Sequence, residues 1–444
     1  MEERILAMAE FIKLSPALPW IAEQGHAGLV TACAPDRLIL ESPLKSFSTR
    51  LTHITVSLQN DQNFHFKGRL ETEVYPFHFI ISPEERQTLQ ELLGQIRKDQ
   101  HIEICRSQDV EAEGRYTGFQ ELSFLPEALP LFDHSEIDTS VDFLGQRFAL
   151  PILITGMTGG IQKGMEINRR LALAAQKFGI PMGVGSQRIA LDNAEYAPIF
   201  SVKDTAPNVF LIGNIGIAQL ADKDALDRCR RAVDMIDANA LAIHFNVVQE
   251  HIQVEGDRNL AGIMKNLEMI CKTLNVPVIA KEVGSGISPS SAKMLAECGI
   301  AAIDIGGAGG TSWAHIEGLR SSSDIVSQLG LTFRNWGIPT AYSLVAVREA
   351  LKDFPLIATG GIRDGLTAAK ACALGAQFAG IGLPLLKAAL QNEEAVEQAI
   401  EGFERGLRLT MLASGAKTLA DLKSKIVRGR PYQSTFERLI PSHH

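Results

Sequence analysis

The 444-residue sequence predicts an α/β protein, one (β/α)8 TIM barrel preceded by a small α+β N-terminal extension. Three observations carry this. From residue 150 onward there are eight short apolar runs, seven of which end in Gly, Thr, Asn or another polar residue, and helical patterns follow them; this is the grammar of βαβ units on a parallel sheet. The 38 glycines are unevenly spread, with only Gly25, Gly28, Gly68 and Gly94 before residue 95, so composition changes at that point. The length would suggest about three domains at roughly 150 residues each, but a single barrel takes about 250. An open doubly wound sheet is the alternative, and it calls for Gly-x-Gly-x-x-Gly after its first strand, which the sequence lacks there.

The elements follow in order. Residues 1–94 read as one or two helices, then β-rich runs at 38–40, 51–58 and 64–80, and a closing helix over 82–96 with Ser82 as cap and Glu85 completing a capping box. Residues 95–444 form the barrel domain, with strands expected at 151–155, 181–185, 209–214, 240–246, 277–282, 301–305, 356–360 and 378–382. Helices are expected at 164–178, 226–237 and 288–298, and 338–343 is read as the start of a helix rather than a ninth strand.

Composition excludes several classes. With 45% hydrophobic and 21% charged residues the chain is neither collagen-like nor wholly disordered. A net charge of −8 with no dense basic run argues against nucleic acid or an anionic membrane surface as partner. Apolar runs fall far short of the roughly 20 residues that span a bilayer. The start Met1-Glu2-Glu3-Arg4 is acidic where a secretory signal is basic, so the expected location is the cytoplasm. Six scattered cysteines without a Cys-x-x-Cys pair read as free thiols.

Barrels keep their chemistry at the C-terminal strand ends. There the sequence places Thr155, Met157 and Thr158, then Ser186-Gln187-Arg188, Asn214, His244 and Asn246 with Gln249-Glu250, Lys281, and Thr311. Gly360-Gly361-Ile362-Arg363 and Gly380-Ile381-Gly382 follow the seventh and eighth strands, where glycines let backbone N–H groups approach a phosphate. Glycine pairs also make plain tight turns, but their pairing at these two strands favours a phosphorylated ligand. Lys281 ends a strand apolar on both faces; either a Schiff-base nucleophile or a cation facing a cofactor ring fits it. Glu250 is one carboxylate without a second ligand at metal spacing, which suits Mg²⁺ better than a transition metal, a solvated helix-start charge being the plainer reading. Arg97, Lys98, His101 and Arg188 are the cations that would neutralise a diphosphate, although each alone reads as surface.

Arg97-Lys98-Asp99-Gln100-His101, Thr155-Gly156-Met157-Thr158-Gly159-Gly160, Gly183-Val184-Gly185-Ser186-Gln187-Arg188, His244-x-Asn246-x-x-Gln249-Glu250, Lys281-Glu282, Gly309-Gly310-Thr311-Ser312-Trp313 and Gly360-Gly361-Ile362-Arg363 together resemble the type 2, FMN-dependent isopentenyl-diphosphate isomerases. The resemblance runs from about Arg97 to about Gly429. It implies an enzyme that interconverts isopentenyl and dimethylallyl diphosphate with FMN, Mg²⁺ and NADPH. Carried over, FMN phosphate belongs at Gly360, Gly361, Arg363, Gly380, Ile381 and Gly382, and the ring and ribityl chain at Thr155, Met157, Thr158, Ser186, Asn214, Lys281 and Thr311. Substrate contacts fall to Arg97, Lys98, His101, Ser186, Gln187, Arg188, His244, Asn246 and Gln249, with Glu250 on Mg²⁺. Gln249, His244 and Lys281 are the expected catalytic set, Lys281 serving as the cation near the flavin. A homo-oligomer is expected because barrel enzymes with exposed apolar helices commonly assemble symmetrically. The alternative is another FMN-dependent barrel oxidoreductase, which shares the phosphate loops and Lys281; the extension is of unknown role, a docking or regulatory module being one competing hypothesis.

Overall fold

The structure, a computed structural model, describes residues 12–22, 27–34, 37–41, 53–57, 63–70, 77–157, 162–253, 256, 260, 262–321 and 323–429. Thr158 lies outside the described residues. The chain divides into two compact units. One comprises residues 1–107, 249–256 and 314–331, and the other residues 108–248, 257–313 and 332–444.

In the first unit six antiparallel strands, Ile12–Ala22, Ala27–Ala34, Arg37–Glu41, His53–Ser57, Asn63–Leu70 and Phe77–Ile81, close into a barrel. The opening helix expected from the sequence is, over residues 12–22, a strand. Its register against the second strand shifts between Lys13 and Leu18, and this irregularity hides the period-2 alternation. The single run expected at 64–80 resolves into two strands. Alternate residues Ile54 and Val56, Phe64 and Phe66, and Phe79 and Ile81 turn inward and are buried.

The closing helix does not stop at residue 96 but runs over Arg86–Ser107. No Pro interrupts it, and the Arg, Lys, Gln and Glu residues of its second half are good helix formers. Arg97, Lys98 and His101 are therefore inside this helix, not after it. Its N-terminal half buries Leu89, Leu92, Leu93 and Ile96 in the core of the six-stranded barrel. Gly94, the sequence-expected boundary, sits among these apolar positions, between Leu93 and Ile96, and a Cβ added there meets no atom within 4 Å. Gly94→Ala is expected to stabilise the protein by about 1 kcal/mol, the helical cost of glycine, as a higher urea midpoint with unchanged slope.

The second unit contains all eight expected barrel strands: Ile152–Ile154, Met182–Gly183, Leu211–Gly216, Ala240–Phe245, Val278–Glu282, Ala302–Asp304, Leu356–Thr359 and Phe378–Ile381. They pair in parallel in chain order, and the first closes on the eighth through Leu153 opposite Gly380. Residues 338–343 lead into the helix Thr340–Ala350, as expected. Helix starts are capped by Ser288, Asp364 and Asn392, each accepting a backbone N–H three residues on. A hairpin, Val141–Phe143 with Gln146–Phe148, packs against the interior residues at the strands' N-terminal end. Phe143 and Phe148 meet Phe378 edge-on at 5.1 and 5.3 Å between centroids, a favoured aromatic geometry. With that end filled by aromatic rings, the opposite end of the barrel is left for a ligand.

Candidate active site

A cavity of about 290 Å³, partly open to solvent, lies in the barrel, lined by Thr155, Gly156, Asn214, Lys281 and Asp304 above the apolar Leu153, Ile212, Ile279 and Ile357. Thr155 Oγ1 is buried with no hydrogen-bond partner, a polar atom left for a ligand. Lys281 is 8% exposed, its Nζ lying 3.5 Å from Asp304 Oδ2 and donating to the Glu282 carbonyl at 3.1 Å. A carboxylate neighbour suits a cation, whereas an amine nucleophile needs an apolar or cationic one, so the pocket favours the electrostatic role for Lys281.

The glycine loops form a close backbone cradle. Gly360 and Gly361 have φ of +119° and +72° and a Cβ at Gly360 would stand 2.2 Å from the Gly307 carbonyl, so neither position accepts a side chain without movement. A Cβ at Gly380 would meet Thr359 Oγ1 at 2.1 Å. The Val110–Ala112 stretch pins the Gly310–Ser312 loop, Ala112 N donating to Gly310 O and Ser312 N to Val110 O, each at 2.8 Å. Arg363 Nε donates to Glu111 Oε1 at 2.8 Å, which places its guanidinium in a half-buried ion pair beside these loops. Thr311 and Ser186 are partly exposed at their strand ends, as is Met157.

Asn214 and His244 form a directional pair. Asn214 Nδ2 donates to Val184 O at 3.0 Å, which turns its Oδ1 toward His244 Nδ1 at 2.7 Å. That oxygen only accepts, so Nδ1 carries the ring proton and Nε2 is the acceptor. Burial, then Lys281 and Arg188, push the His244 pKa down to about 3. The resting imidazole is thus neutral, and the expected donor contact from His244 to a diphosphate requires the ring to gain a proton. Because the unfolded ring titrates near 6.5, the unfolded state binds the extra proton between these values. Stability from this group is complete above about 6.5 and is lost as pH falls toward about 3. His244→Asn should flatten the acid limb of a stability–pH curve measured by urea unfolding.

Gln187 departs from its expected substrate contact. It is fully buried, its Nε2 donating to Ala232 O and its Oε1 accepting from Asn214 N, both at 2.8 Å. It braces the second strand's loop against the third strand. Arg188 is more accessible, 3.9 Å from Asp192. Asn246 is buried at 6% exposure.

The first unit gathers a second polar cluster around Glu317, which is 1% exposed. His101 Nε2 lies 3.0 Å and Gln249 Nε2 2.9 Å from its Oε1, while Arg320 Nε donates to Oε2 at 2.9 Å. Gln253, with its amide oriented to satisfy both neighbours, donates to Glu317 Oε1 at 3.2 Å and accepts from Arg97 Nη1 at 2.6 Å. Burial opposes the Glu317 charge, but Arg320 and His101 outweigh it and hold the carboxyl well below the usual range. Burial likewise lowers the His101 pKa against the pull of Glu317. Two sequence-expected substrate residues and Gln249 are thus joined through Glu317 and Gln253, neither of which the sequence singled out. Glu250 lies half-buried in the helix Val247–Ile252, and among the described residues no group of three His, Cys, Asp or Glu side chains converges to hold a metal alone.

A barrel with paired glycine loops after its seventh and eighth strands, and a cavity lined by a buried cation and unpartnered polar atoms, fits the flavin-mononucleotide-binding class. The FMN-dependent dehydrogenase family matches residues 100–197 and 219–429. Crystal structures of mandelate oxidase share the fold, with TM-scores of 0.52 and 0.53 at 19% and 18% identity, covering 74% and 77% of this chain and 95% and 98% of theirs. Isopentenyl-diphosphate delta-isomerases from Nostoc sp. and Archaeoglobus fulgidus are each 44% identical over 74% of the chain and 94% and 93% of their own length. That of Rickettsia bellii is 41% identical over 75% of the chain and 97% of its length. The chain belongs to the isopentenyl-diphosphate delta-isomerase family, in its FMN-dependent form.

Proposed function

We propose that this enzyme interconverts isopentenyl and dimethylallyl diphosphate, with FMN held in the barrel. The observation that carries the reading is the flavin-type cavity in the barrel, where the buried Lys281 ammonium and the unpartnered Thr155 Oγ1 line one pocket. When bound and reduced, FMN supplies a ring nitrogen able to give and take a proton. Thr155 and Asn214, which line the cavity, would contact the bound group, and Lys281 would offset negative charge on its ring. Gly360, Gly361, Arg363 and the Gly380–Gly382 loop take the phosphate, with Met157, Thr158, Ser186 and Thr311 as further contacts. Arg97, Lys98, His101, Arg188, His244 and Asn246 serve the diphosphate, and Gln249 the reacting carbons. Binding energy from the diphosphate, remote from the double bond, orients an otherwise featureless apolar tail.

Glu250 and the substrate's phosphate oxygens would share Mg²⁺, and NADPH would keep the flavin reduced in a cytoplasmic setting. Among the described residues no helix is long and apolar enough to cross a membrane. Exposed Ile325, Leu329 and Leu331 favour a homo-oligomer. The expected division into an extension of unknown role over 1–94 and an isomerase domain over 95–444 cuts through the helix Arg86–Ser107, and the compact units divide after residue 107 instead. Glu250→Gln should raise the Mg²⁺ concentration for half-maximal rate by about tenfold or more, the effect expected of a lost metal-supporting carboxylate, with little change at saturating Mg²⁺.

The assay is purified protein with isopentenyl diphosphate, FMN, NADPH and Mg²⁺ under anaerobic conditions, scored for dimethylallyl diphosphate. Stoichiometric flavin reduction by a 2-hydroxy acid, without isomerisation, would replace this reading with that of an oxidoreductase.

A further inference from the structure

We propose that Asp304 is the charge-balancing partner of Lys281 in the flavin pocket, holding the ammonium in place and limiting how strongly it favours the anionic form of reduced FMN. This rests on the FMN reading of the cavity, and it concerns a residue that strand-end patterning passed over.

The two residues stand opposite each other in parallel register on the fifth and sixth strands, so their side chains leave the sheet as neighbours. Both line the cavity beside Thr155 and Asn214, and among the described residues Asp304 is its one acidic lining residue. Asp304 is 2% exposed and Lys281 8%, so water screens their interaction little. Lys281 makes two contacts here, the Asp304 carboxylate at 3.5 Å and the Glu282 carbonyl at 3.1 Å, and only the first carries full charge. The other titratable groups around the pair do not take over this role. Glu282 spends Oε2 on the N–H groups of Gly284, Ser285 and Gly286 at 2.7, 2.6 and 3.2 Å, turned toward its own loop. His244 is neutral, and Arg188 adds positive rather than negative charge.

The chemistry gives the pairing a purpose. A reaction that shifts a double bond with no net oxidation needs a ring that keeps a transferable proton. An uncompensated ammonium beside the ring would stabilise its anionic reduced form and draw that proton away. An enzyme that only delivers electrons has no such need. Asp304 therefore acts through Lys281, as a positioning residue.

The test uses FMN-loaded holoenzyme without diphosphate. The two-electron midpoint potential is measured against a reference dye, and the reduced flavin's absorbance is followed with pH. Asp304→Asn should favour the reduced form by about tenfold, a rise of about 30 mV, and convert the reduced flavin to its anionic form at lower pH than in wild type. Asp304→Glu, which keeps the charge, should lie close to wild type. Lys281→Met combined with Asp304→Asn, which removes both charges, should return toward it. Should Asp304→Asn fail to hold FMN, recovery of binding in the double variant supports the pairing, and no recovery overturns it. An unchanged potential and titration in Asp304→Asn also overturns it. Every readout is made on bound flavin alone, so a protein that binds FMN but does not isomerise the diphosphate refutes the functional reading and leaves this one standing. Failure of the wild-type chain to bind FMN defeats both.

Discussion

Lys281→Met lowers turnover by about 10²–10³-fold while the protein still folds and binds FMN, the loss typical of removing one preorganised electrostatic contact. The physical basis is the pocket around Nζ. Methionine fills much the same volume, and the cavity's lower wall of Leu153, Ile212, Ile279 and Ile357 accepts an apolar side chain. Burial raises the Asp304 pKa and Lys281 opposes that rise, so once the partner is gone the carboxyl protonates and the fold is spared an isolated buried charge. The proposed phosphate site at Gly360 and Gly361 is untouched, so flavin affinity is expected to fall less than turnover. Lys281→Arg keeps the charge but not the compact head group, and restores only part of the rate. Stopped-flow turnover at saturating substrate, together with flavin absorbance of the purified variant, separates these effects. A variant that keeps wild-type turnover removes Lys281 from the chemistry.

Glu317→Gln gives the second large effect, a loss of about 3–5 kcal/mol in stability, the range for breaking one side of a buried charged pair. The carboxylate collects donors from His101, Gln249, Arg320 and Gln253. Glutamine offers an NH2 group to neighbours that are themselves donors, and Arg320, with its side chain 4% exposed, loses its counter-charge. Arg97 is held through Gln253, and Gln249 directly, so both shift as the cluster relaxes. Such misplacement costs about 10²-fold in kcat/KM when it reaches substrate-orienting groups. Thermal unfolding and steady-state kinetics on the same preparation check both numbers. Unchanged kcat/KM in a destabilised variant would confine Glu317 to a structural role.

These residues also show how far the sequence could be read. The eight barrel strands were legible because each is a short run apolar on both faces, flanked by polar residues and glycines. Lys281 and Asn214 were legible because a polar residue ending such a run stands at the barrel mouth. In the extension the β-rich runs at 38–40, 51–58 and 64–80 were legible as strands, but Ile12–Ala22 was not, since the shift between Lys13 and Leu18 breaks the alternation that marks a half-buried strand. Asp304 lies between Ile303 and Ile305 and reads as strand interior; only its register with Lys281 reveals the pair. Glu317 follows Ala314-His315-Ile316 in a helix and looks like an ordinary solvated charge, because His101 is 216 residues away in the chain. Gln187 misled in the opposite direction: its place in a polar strand-end motif suggested a ligand contact, but its amide is used wholly within the fold. Local patterning locates strand ends. It does not pair side chains across long sequence separations.

The most direct test of the central claim is to follow flavin redox state and product together. Holoenzyme reduced once under anaerobic conditions, with no further reductant, is given excess isopentenyl diphosphate and Mg²⁺. The account predicts many equivalents of dimethylallyl diphosphate per flavin while the flavin stays reduced. Product limited to one equivalent with the flavin oxidised in step, or no product at all, would contradict it.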